Sequence, residues 1–171
     1  DVRAARLKPP SLLYRDVMIF DDGTHRVGLR YFGVGHTQGD GFAWLPKERI
    51  LFTGDAAVNG PYNFLGDGNS AAWIETLAAV RKLGASIVAP GHGPVGDGGV
   101  LEAQRQFFVA LRAEVAKRKD LPPDRMQADV PAIRTALIAG HPTYIDAGEK
   151  AVTSFEAQVA QVYKEITGKD F

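Results

Sequence analysis

Apolar and polar positions along this chain follow two periods, and the change from one to the other marks its elements. Val17 to Phe20 is a short apolar run closed by Asp21-Asp22-Gly23, a turn signal. Val27, Leu29 and Tyr31 then alternate with Gly28 and Arg30, which predicts a hairpin with one buried face. Phe42 to Leu45 and Ile50 to Phe52 predict a second strand pair across Pro46-Lys47-Glu48-Arg49, and Ile87-Val88-Ala89 a brief buried strand. Elsewhere the period is helical. Trp73, Leu77 and Val80 share one face, with Asn69 or Ser70 as N-cap and Gly84 as the stop. Leu101 to Lys119 predicts a long helix with Leu101, Phe108, Leu111 and Val115 on one side. Pro131 to Ala139 predicts a short helix with Gly140 just past its end, and Ala147 to Thr167 a closing helix through Val152, Phe155, Val159, Val162 and Ile166.

Strands that precede and alternate with helices make an α/β layered domain, a mixed sheet with helices on its outer face. About five short strands, with helices enough for one face only, leave the other face in need of cover. An open apolar sheet face associates, so a layer from another segment or chain is expected there, with self-association as the alternative. Lys8-Pro9-Pro10 reads as an extended lead-in, and residues 1–171 as one domain. The stretch from Asn59 to Asn69 is rich in Gly, Asn and Pro yet carries Tyr62, Asn63, Phe64 and Leu65. Such a loop either lines a substrate pocket or forms a hydrophobic lid over the following helix start.

Composition narrows the function classes. Apolar residues make up 45% of 171, enough for a real core. Twenty acidic and twenty basic side chains cancel, and no basic run interleaves with aromatics, so no nucleic-acid or charged-membrane partner is indicated. Cysteine is absent, which removes disulfides, thiolate metal sites and a Cys nucleophile. No apolar run approaches the roughly 20 residues that span a bilayer. The chain opens on Asp1-Val2-Arg3 without Met, so a leader would not be visible, and cytoplasm and periplasm both stay open.

Three segments carry the chemistry: Gly35-His36-Thr37-Gln38-Gly39-Asp40, Leu51-Phe52-Thr53-Gly54-Asp55 and Ala89-Pro90-Gly91-His92-Gly93-Pro94. Each runs an apolar strand or its end into a Gly-flanked His or Asp, as a sheet edge presents ligands. Singly, each reads equally well as an ordinary turn. Together, two imidazoles and a carboxylate suit a borderline divalent ion such as zinc. They are too few for two ions, and one too few for a tetrahedral structural site.

In that order the three segments resemble the second half of the metallo-β-lactamase-fold hydrolases, from about Tyr31 to Pro94. The resemblance implies half of a four-layer αββα sandwich, with this chain as the C-terminal portion of a larger domain. It makes His36 the third ligand of a first metal, Asp55 the carboxylate bridging both metals and His92 a ligand of the second. Two zinc ions are implied, with iron or manganese as alternatives. They activate a bridging hydroxide against an ester, thioester, lactone, lactam or phosphoester bond of a small-molecule substrate. Asp rather than Cys at the bridge is more similar to the thioesterase, lactonase and phosphodiesterase branches than to the lactam-cleaving enzymes. The family's HxHxDH signature has no counterpart, because the histidines are His25, His36, His92 and His141, and no two are two residues apart. Either an upstream half of the same protein supplies it, or a complementing chain does, or the chain is a degenerate, non-catalytic module. An iron-dependent oxidative member of the fold is a further alternative. His25 is expected in a solvated turn, His141 in a loop, and Asp40 and Thr37 in local hydrogen bonds. The glycine-rich run from Gly91 to Gly99 lacks GxxxxGK[ST] and is no phosphate loop.

Overall fold

A computed structural model of the chain describes residues 6, 8–61, 63–145 and 154–171. The strands are β1 (Val17–Asp21), β2 (Arg26–Arg30), β3 (Phe42–Leu45), β4 (Ile50–Val58) and β5 (Ile87–His92), in the order β1-β2-β3-β4-β5. Pairing is antiparallel except between β4 and β5, which run parallel on either side of α1 (Ser70–Arg81). After β5 come α2 (Gly99–Ala116), α3 (Pro123–Ala128), α4 (Val130–Ile138), α5 (Pro142–Ile145) and α6 (Phe155–Thr167). The hairpin, the second strand pair and the long helices stand where the periodicity places them. β4 does not stop at Phe52 but continues to Val58, and the short helices α3 and α5 are additions. The part of the predicted closing helix before Ser154 lies outside the described residues. None of the described helices is long and apolar enough to cross a membrane.

Register decides which side chains share a face, because paired residues point the same way and neighbours in a strand point oppositely. Ile19, Gly28, Trp44, Leu51 and Val88 form one row, and Trp44, Leu51 and Val88 are buried beneath the helices. Trp73 and Leu77 of α1 and Phe107, Phe108 and Leu111 of α2 complete that core, with the Trp73 and Phe108 rings 4.8 Å apart. α6 seals the outside of α2 with Val159, Val162 and Tyr163. The opposite face carries the rows Met18–Leu29–Ala43–Phe52–Ala89 and Leu45–Ile50–Ile87, together with the pair Phe20–Val27. Every one of these residues is apolar. Phe20, Phe52 and Ile87 are 51%, 47% and 41% exposed. The sheet therefore has one face packed under helices across β3, β4 and β5 and an opposite apolar face that lies open.

An ionic group fixes α1 to α2 beyond the core. Glu102 accepts from Arg105 Nε at 2.9 Å and from Gln106 Nε2 at 2.7 Å, and pairs with Arg81 of α1 at 2.5 Å. The Arg105 hydrogen bonds, aided by Gln106 and Arg81, pull the Glu102 carboxyl down to about 2 from an ordinary 4.5. A depressed carboxyl contributes stability that is complete above its unfolded value and is lost as pH falls toward its folded one. Glu102→Gln is therefore expected to cost about 1 kcal/mol at pH 7, a modest figure because solvent screens this surface pair. The deficit should shrink below pH 4.5 and vanish near pH 2 in paired denaturation curves.

Candidate metal centre

The parallel pairing of β4 with β5 is regular from Ile50 to Phe52 and then breaks. Gly54 pairs with Pro90 and Val58 with His92, so four steps along β4 match two along β5. The surplus residues form a bulge, a device that recurs beside functional sites. Gly54 opens the bulge at φ 50°, a left-handed conformation open to glycine at no steric cost. Thr53 lies beneath it, its hydroxyl 2.9 Å from the Gly54 carbonyl and 3.3 Å from that of Ala57.

The bulge turns Asp55 toward the end of β5. Its Oδ1 stands 3.5 Å from His92 Nε2, and both side chains remain partly open to solvent. Gly91 makes this approach feasible, since a Cβ there would lie 2.0 Å from Asp55 Oδ1. The backbone N–H of Asn59 donates to the His92 carbonyl at 2.9 Å, and its side-chain amide donates to that of Pro94 at 2.8 Å, so the His92 turn is held from the far end of β4.

His36 sits in a separately braced turn after β2. Asp40 accepts the Thr37 backbone N–H at 3.1 Å and the Thr37 hydroxyl at 2.7 Å, the local role expected of both residues. Thr76 of α1 donates to the Val34 carbonyl at 2.7 Å, and the Asn69 backbone N–H to that of Gly35 at 3.3 Å. The imidazole packs between Phe64 and Trp73, with ring centroids 5.8 and 6.0 Å away.

The structure thus brings Asp55 and His92 together and holds His36 in a neighbouring turn. Among the described residues no three His, Cys, Asp or Glu side chains gather into one metal-holding group. Trp73 links the two parts. Its ring packs on His36, and its indole N–H donates to the carbonyl of Ala56, next to Asp55, at 2.8 Å. Helical spacing marks Trp73 only as buried, and no sequence signal announces a hydrogen bond that exists because β4 bulges.

Other residues settle differently. Phe64 packs on His36, but Asn63 is fully buried and accepts from Gln104 Nε2 of α2 at 2.8 Å, so it faces the interior and not a pocket. Gln104 in turn accepts the Val58 N–H at 3.2 Å, and these bonds draw Asn63 inward. Tyr62 lies outside the described residues. His25 is in the exposed hairpin turn, its N–H donating to Asp22 Oδ1 at 2.7 Å. His141 is half-buried edge-on to Phe107, and burial pushes its imidazole below the usual histidine range.

The donor set fits one portion of a metal centre. Two donors about 2.1 Å from one tetrahedral zinc lie roughly 3.4 Å from each other, and the Asp55–His92 separation is 3.5 Å. A carboxylate oxygen and an imidazole nitrogen are also ligand types that zinc accepts. The donors are too few to hold an ion alone.

A layered α/β protein with an Asp–His pair where β4 meets β5 and a further His in an adjoining turn is the class this arrangement defines. The sequence model of the metallo-beta-lactamase superfamily matches residues 16–92, which contain all three candidate ligands. A metallo-beta-lactamase type 2 of Pseudomonas aeruginosa is 31% identical over 101 residues, covering 58% of this chain and 40% of that protein. One from Bacillus cereus is 36% identical over 84 residues, 46% of this chain and 33% of its own length. Among solved structures, a metallo-beta-lactamase from Pontibacter korlensis superposes with a TM-score of 0.56 at 22% identity, over 60% of this chain and 50% of that one. That likeness shows the fold. The family model, the curated relatives and the fold together support the metallo-beta-lactamase-fold superfamily for this chain. It spans 33% to 40% of the length of these two curated relatives.

Proposed function

We propose that this chain is the C-terminal portion of a metal-dependent hydrolase with a dizinc centre. The observation that carries the reading is the Asp55–His92 pair, set by a bulge and a close glycine at a separation suited to one tetrahedral ion. Asp55 would bridge the two ions, His92 would hold the second and His36 would anchor the first. When bound, such ions supply Lewis acidity and lower the pKa of water to about 7. This chain's residues do the positioning. Asp55 is aimed by Gly54 and Gly91, while Phe64 and Trp73 pack against the His36 ring. The substrate is a small molecule with an ester, thioester, lactone, lactam or phosphoester bond. Relatives that are metallo-beta-lactamases keep lactams within that range.

The remaining ligands would come from an upstream half of the same domain, and the open apolar face is where it would pack. Covering Phe20, Phe52, Ile87 and their neighbours removes apolar surface from water at about 25 cal/mol per Å², and no polar side chain on those rows opposes it.

Native mass spectrometry with metals retained tests this reading on the full protein and on this chain alone. Two ions on the full protein are expected, together with chelator-sensitive hydrolysis restored by zinc. A folded full protein with no metal and no hydrolysis of chromogenic ester, thioester, lactam or phosphodiester probes would overturn it in favour of a non-catalytic module.

A further inference from the structure

The first turn of α1 carries no acidic residue of its own, although a helix N-terminus favours negative charge. A carboxylate reaches it from the far end of the chain. Glu165 on α6 accepts the Ser70 backbone N–H at 2.9 Å and, through its other oxygen, the Ser70 hydroxyl. Arg112 of α2 completes the node, with Nη1 donating to Glu165 Oε2 at 2.6 Å and to Ser70 Oγ at 2.7 Å. The Glu165 side chain is only 7% exposed. Three helices from distant parts of the sequence thus meet on one hydroxyl.

The other side of the same short segment is the His36 turn. Asn69 caps α1 by accepting the Ala72 N–H at 2.9 Å and donates its own backbone N–H to the Gly35 carbonyl. Gly68 is so close that a Cβ there would lie 2.1 Å from the Gly35 oxygen and 2.8 Å from that of His36. Residues 68–70 are therefore held by Glu165 on one flank and in turn hold the His36 backbone on the other. Shifting Ser70 shifts the surface on which His36 rests, whereas Asp55 and His92 hang from the β4–β5 bulge, which meets α1 through the Trp73–Ala56 hydrogen bond and not through Ser70.

We propose that Glu165 is a positioning residue for His36, acting through Ser70 and the start of α1, so that the C-terminal helix sets the geometry of one half of the metal centre. The metal part of this inference rests on the assignment of His36 as a ligand, and the orientational part does not.

The test uses the full protein in three forms: wild type, Glu165→Gln, and the charge-balanced pair Glu165→Gln with Arg112→Gln, which leaves no lone buried ion if the single variant fails to fold. Imidazole NMR on metal-free protein is expected to show the His36 ring signals shifted or broadened in the variants, with those of His92 unmoved. Zinc titration is expected to show one of two ions weakened about tenfold, the low end of what losing a supporting partner costs. A merely structural node would move both histidines, or both ions, in step with overall stability, and that result would overturn the proposal. So would a His36 ring that does not respond. If the His36 signals move but wild type binds no metal, positioning stands and the metal reading fails.

Discussion

Asp55→Asn in the full protein is expected to lower hydrolytic turnover at least about a hundredfold and to strip metal from the centre, more than the 10–100-fold cost of losing an outer partner. The substitution keeps the shape of the side chain and removes its charge. A neutral amide is a poor bridge between two cations, whose mutual repulsion a carboxylate would offset. The fold should barely register the change. Asp55 is 39% exposed and His92 47%, so solvent takes up what the pair loses, and stability should stay within about 0.5 kcal/mol. Metal content, turnover and a denaturation curve on one preparation separate the two effects. Retention of both metal and turnover would remove Asp55 from the bridging role. Joint loss of metal and stability would instead make the residue a structural one.

Why the bulge stays hidden while the candidate ligands are visible follows from the range of the interactions involved. His36, Asp55 and His92 stand out in the sequence because each directly follows glycine beside an apolar run, a local feature. The alternation that predicts β1, β2 and β3 is equally local. Thr53-Gly54-Asp55 reads as a turn after Phe52, and only pairing with β5, more than thirty residues away and beyond a helix, makes it the middle of a strand. Trp73 shows the same limit from the helical side. Its spacing predicts burial correctly, but the partner of its indole N–H is the Ala56 carbonyl, which the bulge puts there. Glycine, proline and aromatics around Asn63 in sequence leave a pocket wall and a lid equally open, and Gln104, a polar residue on a buried helix face, draws it inside. Glu165 carries no signal at all, since an acid in the last turns of an amphipathic helix normally faces water. The open sheet face, in contrast, was predictable by counting. One layer of helices covers one face of a sheet, and the residues on the second face are apolar nonetheless.

Gly91→Ala probes the bulge itself and has the largest expected effect on stability. The new Cβ would lie 2.0 Å from Asp55 Oδ1, 2.6 Å from the Gly54 carbonyl carbon and 2.7 Å from the Asp55 nitrogen. The carboxylate is free to swing aside. The two backbone atoms are not, because Gly54 pairs with Pro90 on one side and the Ala56 carbonyl is tied to Trp73 on the other. Relief therefore requires β4 and β5 to part where their register changes, and the buried Ala56, Ala57 and Val58 move with the strand. Overpacking that displaces backbone costs about 3 kcal/mol, read as a lowered denaturation midpoint in the full protein. Separation of Asp55 from His92 should abolish zinc retention even where the variant still folds. Gly39→Ala is the matched control, since it lies in the His36 turn with no heavy atom within 4 Å of the added methyl. It should change stability by no more than about 0.5 kcal/mol. A Gly91→Ala protein as stable as this control would mean that β5 yields easily at Pro90-Gly91-His92. The Asp55–His92 separation would then be set by something other than the close approach of the two strands.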